Sequence, residues 1–138
     1  MGHFLLPVLA LLVWTFLIWI LMYIRRIPAM NAISKRTQDF IDDPKLGEKL
    51  PASARWAADN HNHLHEQPTL FYALMFCIYL MDKTSPLICA CAWGYVGLRV
   101  LHSCVQVSKN LVLIRFSLYA LASLLLMVMA GATVLAVM

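Results

Sequence analysis

Apolar and polar stretches alternate along the chain in a way that predicts four helical crossings of a membrane. Phe4 to Ile24 is an uncharged run of 21 residues, long enough as a helix at about 1.5 Å per residue to cross about 30 Å of hydrocarbon. It lacks the basic flank and the small-x-small cleavage site of a secretory leader and is too long for one, so it reads as a first span, 4–25. Arg25 to Arg55 is polar and punctuated by Pro28, Pro44, Gly47 and Pro51. It reads as a connecting loop, 26–54, with room for a short helix between Ala29 and Ile41. Pro68 to Met81 is apolar but too short to cross alone, so the second span takes in the polar stretch upstream and runs 55–81. Pro68 cannot donate to the carbonyl of Leu64, which predicts a kink beside Glu66. The turn Asp82-Lys83-Thr84-Ser85-Pro86 leads to a third span, 85–107. Ser108-Lys109-Asn110 leads to a fourth, 112–137. The fold class is all-α integral membrane, a single domain over 1–138 built as a four-transmembrane-helix up-down bundle.

The third span breaks its own pattern. Arg99, His102, Gln106 and Lys109 recur at i, i+3, i+7 and i+10, on one helical face. An arginine at membrane depth costs roughly 2.5–3.5 kcal/mol on insertion scales, so this face must look inward and find a partner. The second span offers a stripe at similar spacing: Arg55, Asp59, Asn62, Glu66 and Thr69. At about 1.5 Å per residue, Glu66 lies about 24 Å inward from Asp82, Arg99 about 21 Å and His102 about 25 Å inward from Ser85. Arg115 and Arg25 fall slightly beyond that level. The coincidence has two readings, a joint polar cavity or a Glu66–Arg99 ion pair that fixes helix register, and residue chemistry alone does not separate them.

Composition agrees with a membrane protein. Of 138 residues, 62% are hydrophobic and 13% charged, with mean hydropathy +0.73, where a soluble domain carries about 25% charge. The net charge of +4 comes without a basic cluster interleaved with aromatics, so no nucleic-acid partner is expected. Lys and Arg concentrate around the first and third connections and only Lys83 serves the second, which predicts those two connections in the cytoplasm and both termini outside. Cys77, Cys89, Cys91 and Cys104 lie in predicted spans without a CxxC pair and read as reduced, small apolar residues. His61 and His65 stand at the i, i+4 spacing of metal sites, but His63 points elsewhere and no second ligand pair follows, so no metal is assigned. Motifs for phosphate loops, dinucleotides, nucleophile elbows and zinc proteases are absent.

Two stretches are similar to the MAPEG family, the membrane-associated proteins in eicosanoid and glutathione metabolism, and to its short bacterial branch. One is Asn60-His61-Asn62-His63-Leu64-His65-Glu66-Gln67-Pro68-Thr69-Leu70-Phe71-Tyr72. The other is Leu98-Arg99-Val100-Leu101-His102, followed by Lys109-Asn110 and Arg115-Phe116-Ser117-Leu118-Tyr119. The resemblance implies a homotrimer in the bacterial inner membrane, termini periplasmic and the 26–54 loop cytoplasmic, with glutathione-type sites between subunits. It also implies a thiol transferase or peroxidase acting on a small lipophilic electrophile from the bilayer. Arg115 would stabilise the thiolate, Glu66 would hold the glutathione amino group, Arg99 would be the interior arginine paired with helix two, and Tyr119 would line the site. With the depth pattern, the ligand-binding set is Glu66, Asn62, Arg99, His102, Tyr119, Arg55 and Arg25. The chain departs from glutathione-using members where Gln106 stands in place of a tyrosine and where only Arg55 precedes the histidines on helix two. The rival class is a non-catalytic membrane protein binding a lipid, quinone or anionic metabolite, its buried charges structural.

Overall fold

A computed structural model describes residues 3–138, and among these it contains helices and no strands. Helix α1 (Leu6–Ile33) has Pro7 in its first turn, where the missing N–H costs no hydrogen bond. It continues about two turns past Arg25-Arg26. The charges end the apolar pattern but not the helix, because Arg25 Nη1 donates 2.8 Å to the carbonyl of Val107 at the end of another helix. A guanidinium there meets both an unpaired carbonyl and the negative end of the helix dipole. The connection that follows holds two single turns, α2 (Asp39–Asp42) and α3 (Lys45–Glu48). The helix expected between Ala29 and Ile41 is thus divided between the end of α1 and α2.

The second hydrophobic stretch is interrupted rather than kinked. Helix α4 (Ala52–His63) ends before Pro68, and α5 (Gln67–Leu80) begins after it with Pro68 in its first turn. A continuous helix would drive the proline ring into the carbonyl of Leu64. Stopping at His63 removes that clash. Leu64 N–H folds back to the carbonyls of Asn60 and His61, His65 N–H to that of Asn62 at 2.9 Å, and Thr69 Oγ1 to that of Glu66 at 2.6 Å. At about 1.5 Å per residue, α4 and α5 are about 18 and 21 Å long, each too short to cross by itself. Among the described residues three helices are long and apolar enough to do so: α1, α6 (Pro86–Ser108) and α7 (Val112–Val137). Ser85 caps α6, its Oγ accepting from Ile88 N–H at 3.2 Å, with Pro86 next.

Helix α6 packs against α1, α4 and α7. Its buried stripe changes character along its length. Ile88, Cys91, Ala92, Tyr95 and Val96 are followed on the same side by Arg99, His102, Ser103 and Gln106. The first half meets Val8 and Leu11 of α1, Phe71, Met75 and Ile78 of α5, and Ala122 and Met129 of α7 in one core. Phe71 and Tyr95 stack there with ring centroids 4.6 Å apart. The second half makes a polar core. Outside, α1 and α7 expose Val13, Phe16, Leu17, Ile24, Leu113, Phe116, Leu124 and Leu135, surface that water would penalise and a bilayer accepts. This is an integral membrane protein. The four cysteines are free.

Helices α6 and α7 are closely packed at Gly94, where an added Cβ would sit 2.9 Å from Leu125 Cδ1. Replacing Gly94 by leucine is expected to cost about 1–3 kcal/mol through overpacking. Gly94→Ala should cost less, because the end of Leu125 can turn aside. Thermal unfolding in detergent measures both.

Candidate functional site

The polar half of α6 is matched by α4, but not through the stripe expected of it. Arg55, Asp59, Asn62 and Glu66 are all exposed. The face turned inward carries Ala54, Ala57, Ala58 and Asn60, small residues that let α4 lie close to its neighbours. Asn60 Nδ2 donates 2.8 Å to Gln106 Oε1, both residues being buried. Arg99, 0% exposed, directs Nη2 at 2.7 Å to the carbonyl of His63. That carbonyl lies in the last turn of α4 and has lost its helical partner to the break at Pro68.

The Glu66–Arg99 ion pair is therefore not formed. Glu66, with a 60% exposed side chain, pairs instead with His63 at 3.0 Å. The break swings Glu66 off the inward face, and a backbone carbonyl takes the place of its carboxylate. Gln67 joins three helices beside it. Its Nε2 donates to Ser123 Oγ at 2.7 Å, and its Oε1 accepts from Tyr95 Oη at 3.3 Å.

Above this lattice lies an open groove of about 260 Å3, lined by His63, His102, Val112, Arg115, Phe116 and Tyr119. Arg115 enters it from the first turn of α7 and is held by a hydrogen bond from Nη1 to Asn110 Oδ1. Asn110 has φ 52° in the turn between α6 and α7, and its N–H returns to the carbonyl of Val105 at 2.8 Å. Asparagine tolerates this left-handed backbone better than most residues, so one residue makes the turn and aims the arginine. The ring of His102 is 6.1 Å from that of His63 and 6.3 Å from that of Tyr119. The Arg99 guanidinium lies behind, 5.5 Å from the centre of the Tyr119 ring.

Several donors here are buried without acceptors: Arg115 Nε, and Nε and Nη1 of Arg99. His102 Nδ1 is also buried and unpartnered. Buried polar atoms nearly always find partners in folded proteins. Of the two arginines only Arg115 lines the groove, and a guanidinium with an unused N–H there suits an anion.

Four of the residues read from sequence as site residues, Arg99, His102, Arg115 and Tyr119, come together here. Glu66 reaches the rim through His63. Asn62 faces outward, Arg25 is engaged with Val107, and Arg55 lines a separate groove. Sequence reading passed over His63 and Phe116 as lining residues and Asn60 as the partner of α6. The alanines at 54, 57 and 58 are the signal that would have found Asn60, since small residues mark the packed side of α4. His61 and His65 lie on another side, ring centroids 4.4 Å apart, in a groove with Thr15, Phe16 and Trp19. Among the described residues no three His, Cys, Asp or Glu side chains cluster as metal ligands.

A family model, that of the MAPEG family, matches residues 4–135. None of the curated proteins and none of the solved structures matches the chain.

Proposed function

We propose, for a chain that belongs to the MAPEG family, a membrane thiol transferase or peroxidase whose site is the groove between α6 and α7. The family includes glutathione transferases and peroxidases as well as non-catalytic members. The observation that carries the reading is a pair of guanidiniums with acceptor-free donors, Arg115 lining this groove and Arg99 buried behind Tyr119, with no carboxylate in contact with either arginine among the described residues. They suit an anionic ligand with more than one acceptor, and glutathione, with two carboxylates and an ionisable thiol, is such a ligand.

Glutathione would supply the nucleophilic sulfur. Arg115, fixed by Asn110, would favour the thiolate over the thiol, since a guanidinium close to the sulfur stabilises the charged form. His102 and Tyr119 would shape and orient the sulfur's surroundings. Glu66 and Asn62, exposed on α4, would meet the tripeptide's polar groups at the groove's mouth. Val112 and Phe116 offer an apolar wall for an electrophile arriving from lipid. Holding the two partners together in this geometry would supply much of the rate gain.

In this reading α4 and α5 together make the fourth crossing of an up-down bundle. Three copies associate, so that the outward face of α4 on one subunit closes the groove of its neighbour. The polar end of the groove faces the cytoplasm of a bacterium. The excess of Lys and Arg around the 26–54 loop and after α6 supports that orientation.

One observation favours a second reading, a non-catalytic trimer that binds an anion or lipid. Arg99 spends Nη2 on a backbone carbonyl, a structural use. Thermal-shift titration of the detergent-purified protein with reduced glutathione separates the two. A ligand bound only by the folded form raises stability by about 2.7 kcal/mol at a hundredfold excess over Kd. The thiol reading predicts a saturable rise that disappears in Arg115→Ala. An unchanged midpoint at millimolar glutathione contradicts it.

A further inference from the structure

A larger groove, about 410 Å3, lies nearer the start of α4, between the end of α1, α3 and the turn after α6. It shares no lining residue with the groove of Arg115. Arg26 and Arg55 line it together with Trp56, Asp59 and Asn110. Both arginines are exposed, and the ion pairs among the described residues, Arg36–Asp39 and His63–Glu66, engage neither of them. Asp59 is equally unpaired. Two guanidiniums and one carboxylate leave one net positive charge facing the groove. That balance suits a phosphodiester, which carries one negative charge, better than a free phosphate dianion. Guanidinium also matches the paired oxygens of a phosphodiester by two parallel hydrogen bonds.

The surroundings point to a diester carried by a lipid. Arg26 lies two residues beyond Ile24, where the apolar run of α1 stops, at the level where headgroups sit. Trp19, Tyr23 and Arg26 recur at i, i+4 and i+7, on one face of α1. Trp19 and Tyr23 are exposed, and their rings meet edge to face at 5.1 Å. This exposed aromatic strip gives acyl chains a path that ends at the arginine. Asp59 provides an acceptor for hydroxyl groups on the headgroup.

We propose that this groove binds the headgroup of an anionic phospholipid, with Arg26 and Arg55 on the phosphodiester, Asp59 accepting headgroup hydroxyls, and the chains lying along Tyr23 and Trp19. The site shares no lining residue with the thiol groove, to which it is joined by Asn110, the residue that holds Arg115, and its lipid assignment does not depend on that of the thiol.

Native mass spectrometry of the full chain in detergent, titrated with phosphatidylglycerol, phosphatidylcholine or inorganic phosphate, tests it. Phosphatidylglycerol should remain bound and saturate. Phosphatidylcholine, which lacks headgroup hydroxyls and carries a cation toward the arginines, should bind at least tenfold more weakly. The double variant Arg26→Gln/Arg55→Gln should weaken phosphatidylglycerol at least tenfold. A second variant keeps both arginines: a Cβ at Gly47, which also lines the groove, meets open space, so Gly47→Glu sets a carboxylate against the phosphate and should weaken binding similarly. Arg36→Gln, outside the groove, should change nothing. Equal retention of the two lipids, or undiminished phosphatidylglycerol binding in Gly47→Glu, overturns the proposal. Displacement of phosphatidylglycerol by inorganic phosphate at comparable concentration overturns the lipid assignment in favour of a free-anion site.

Discussion

Arg115→Ala is expected to lower the turnover of glutathione with a chlorodinitrobenzene electrophile by about a hundred- to a thousandfold, by analogy with the loss of one preorganised donor to a developing oxyanion. The helices should survive the change. Arg115 is only partly buried, and among the described residues its side chain hydrogen-bonds only to Asn110, on a turn that the Val105 carbonyl also holds. Circular dichroism and gel-filtration profile should therefore match the parent while activity falls. Arg115→Lys should recover part of the loss, since an ammonium supplies charge without the planar fork. A fall in activity with equal loss of folded protein would move Arg115 from the chemistry to the scaffold.

The largest effect on stability is expected at Arg99. Arg99→Ala removes a fully buried side chain and leaves the His63 carbonyl without its donor. The unpaired carbonyl costs about 1–3 kcal/mol, and emptying a large buried side chain adds a comparable amount. Relief of the desolvation carried by a buried cation works in the opposite direction. The net expectation is a loss of about 2–4 kcal/mol. Glu66→Gln gives the contrast. Were Glu66 the buried partner of Arg99, removing its charge would cost about 3–5 kcal/mol. Its carboxylate is exposed and pairs with His63, so the loss should stay below about 1 kcal/mol. Unfolding of both variants in graded denaturing detergent reads the difference directly, and equal losses would reinstate the ion pair.

These two positions also mark where the sequence was legible. The inward face of α6 could be read because a cation, an imidazole and an amide at helical spacing inside an apolar span have only one side to turn to. Their partner could not be read, because it is partly a backbone carbonyl released by a helix break, and a sequence displays no carbonyls. The charges at 55, 59, 62 and 66 made a more conspicuous stripe than Ala54, Ala57, Ala58 and Asn60, yet close packing selects the small residues. Pro68 announced a disturbance but not its extent, which depends on how Leu64 and His65 re-form their hydrogen bonds. Likewise, Arg25-Arg26 ended a hydropathy pattern without ending α1, since Arg25 found a carbonyl on α6. The groove of His63, His102, Arg115 and Tyr119 was half visible: its α6 and α7 residues follow from spacing, and the α4 contribution does not.

Ultraviolet difference spectroscopy of the purified protein, titrated with glutathione near neutral pH, shows whether this groove takes a thiol as its anion. A saturable thiolate band, absent with a glutathione analogue lacking the sulfur and absent in Arg115→Ala, is the predicted result. Binding of glutathione without a thiolate band, or a band undiminished in Arg115→Ala, would contradict it.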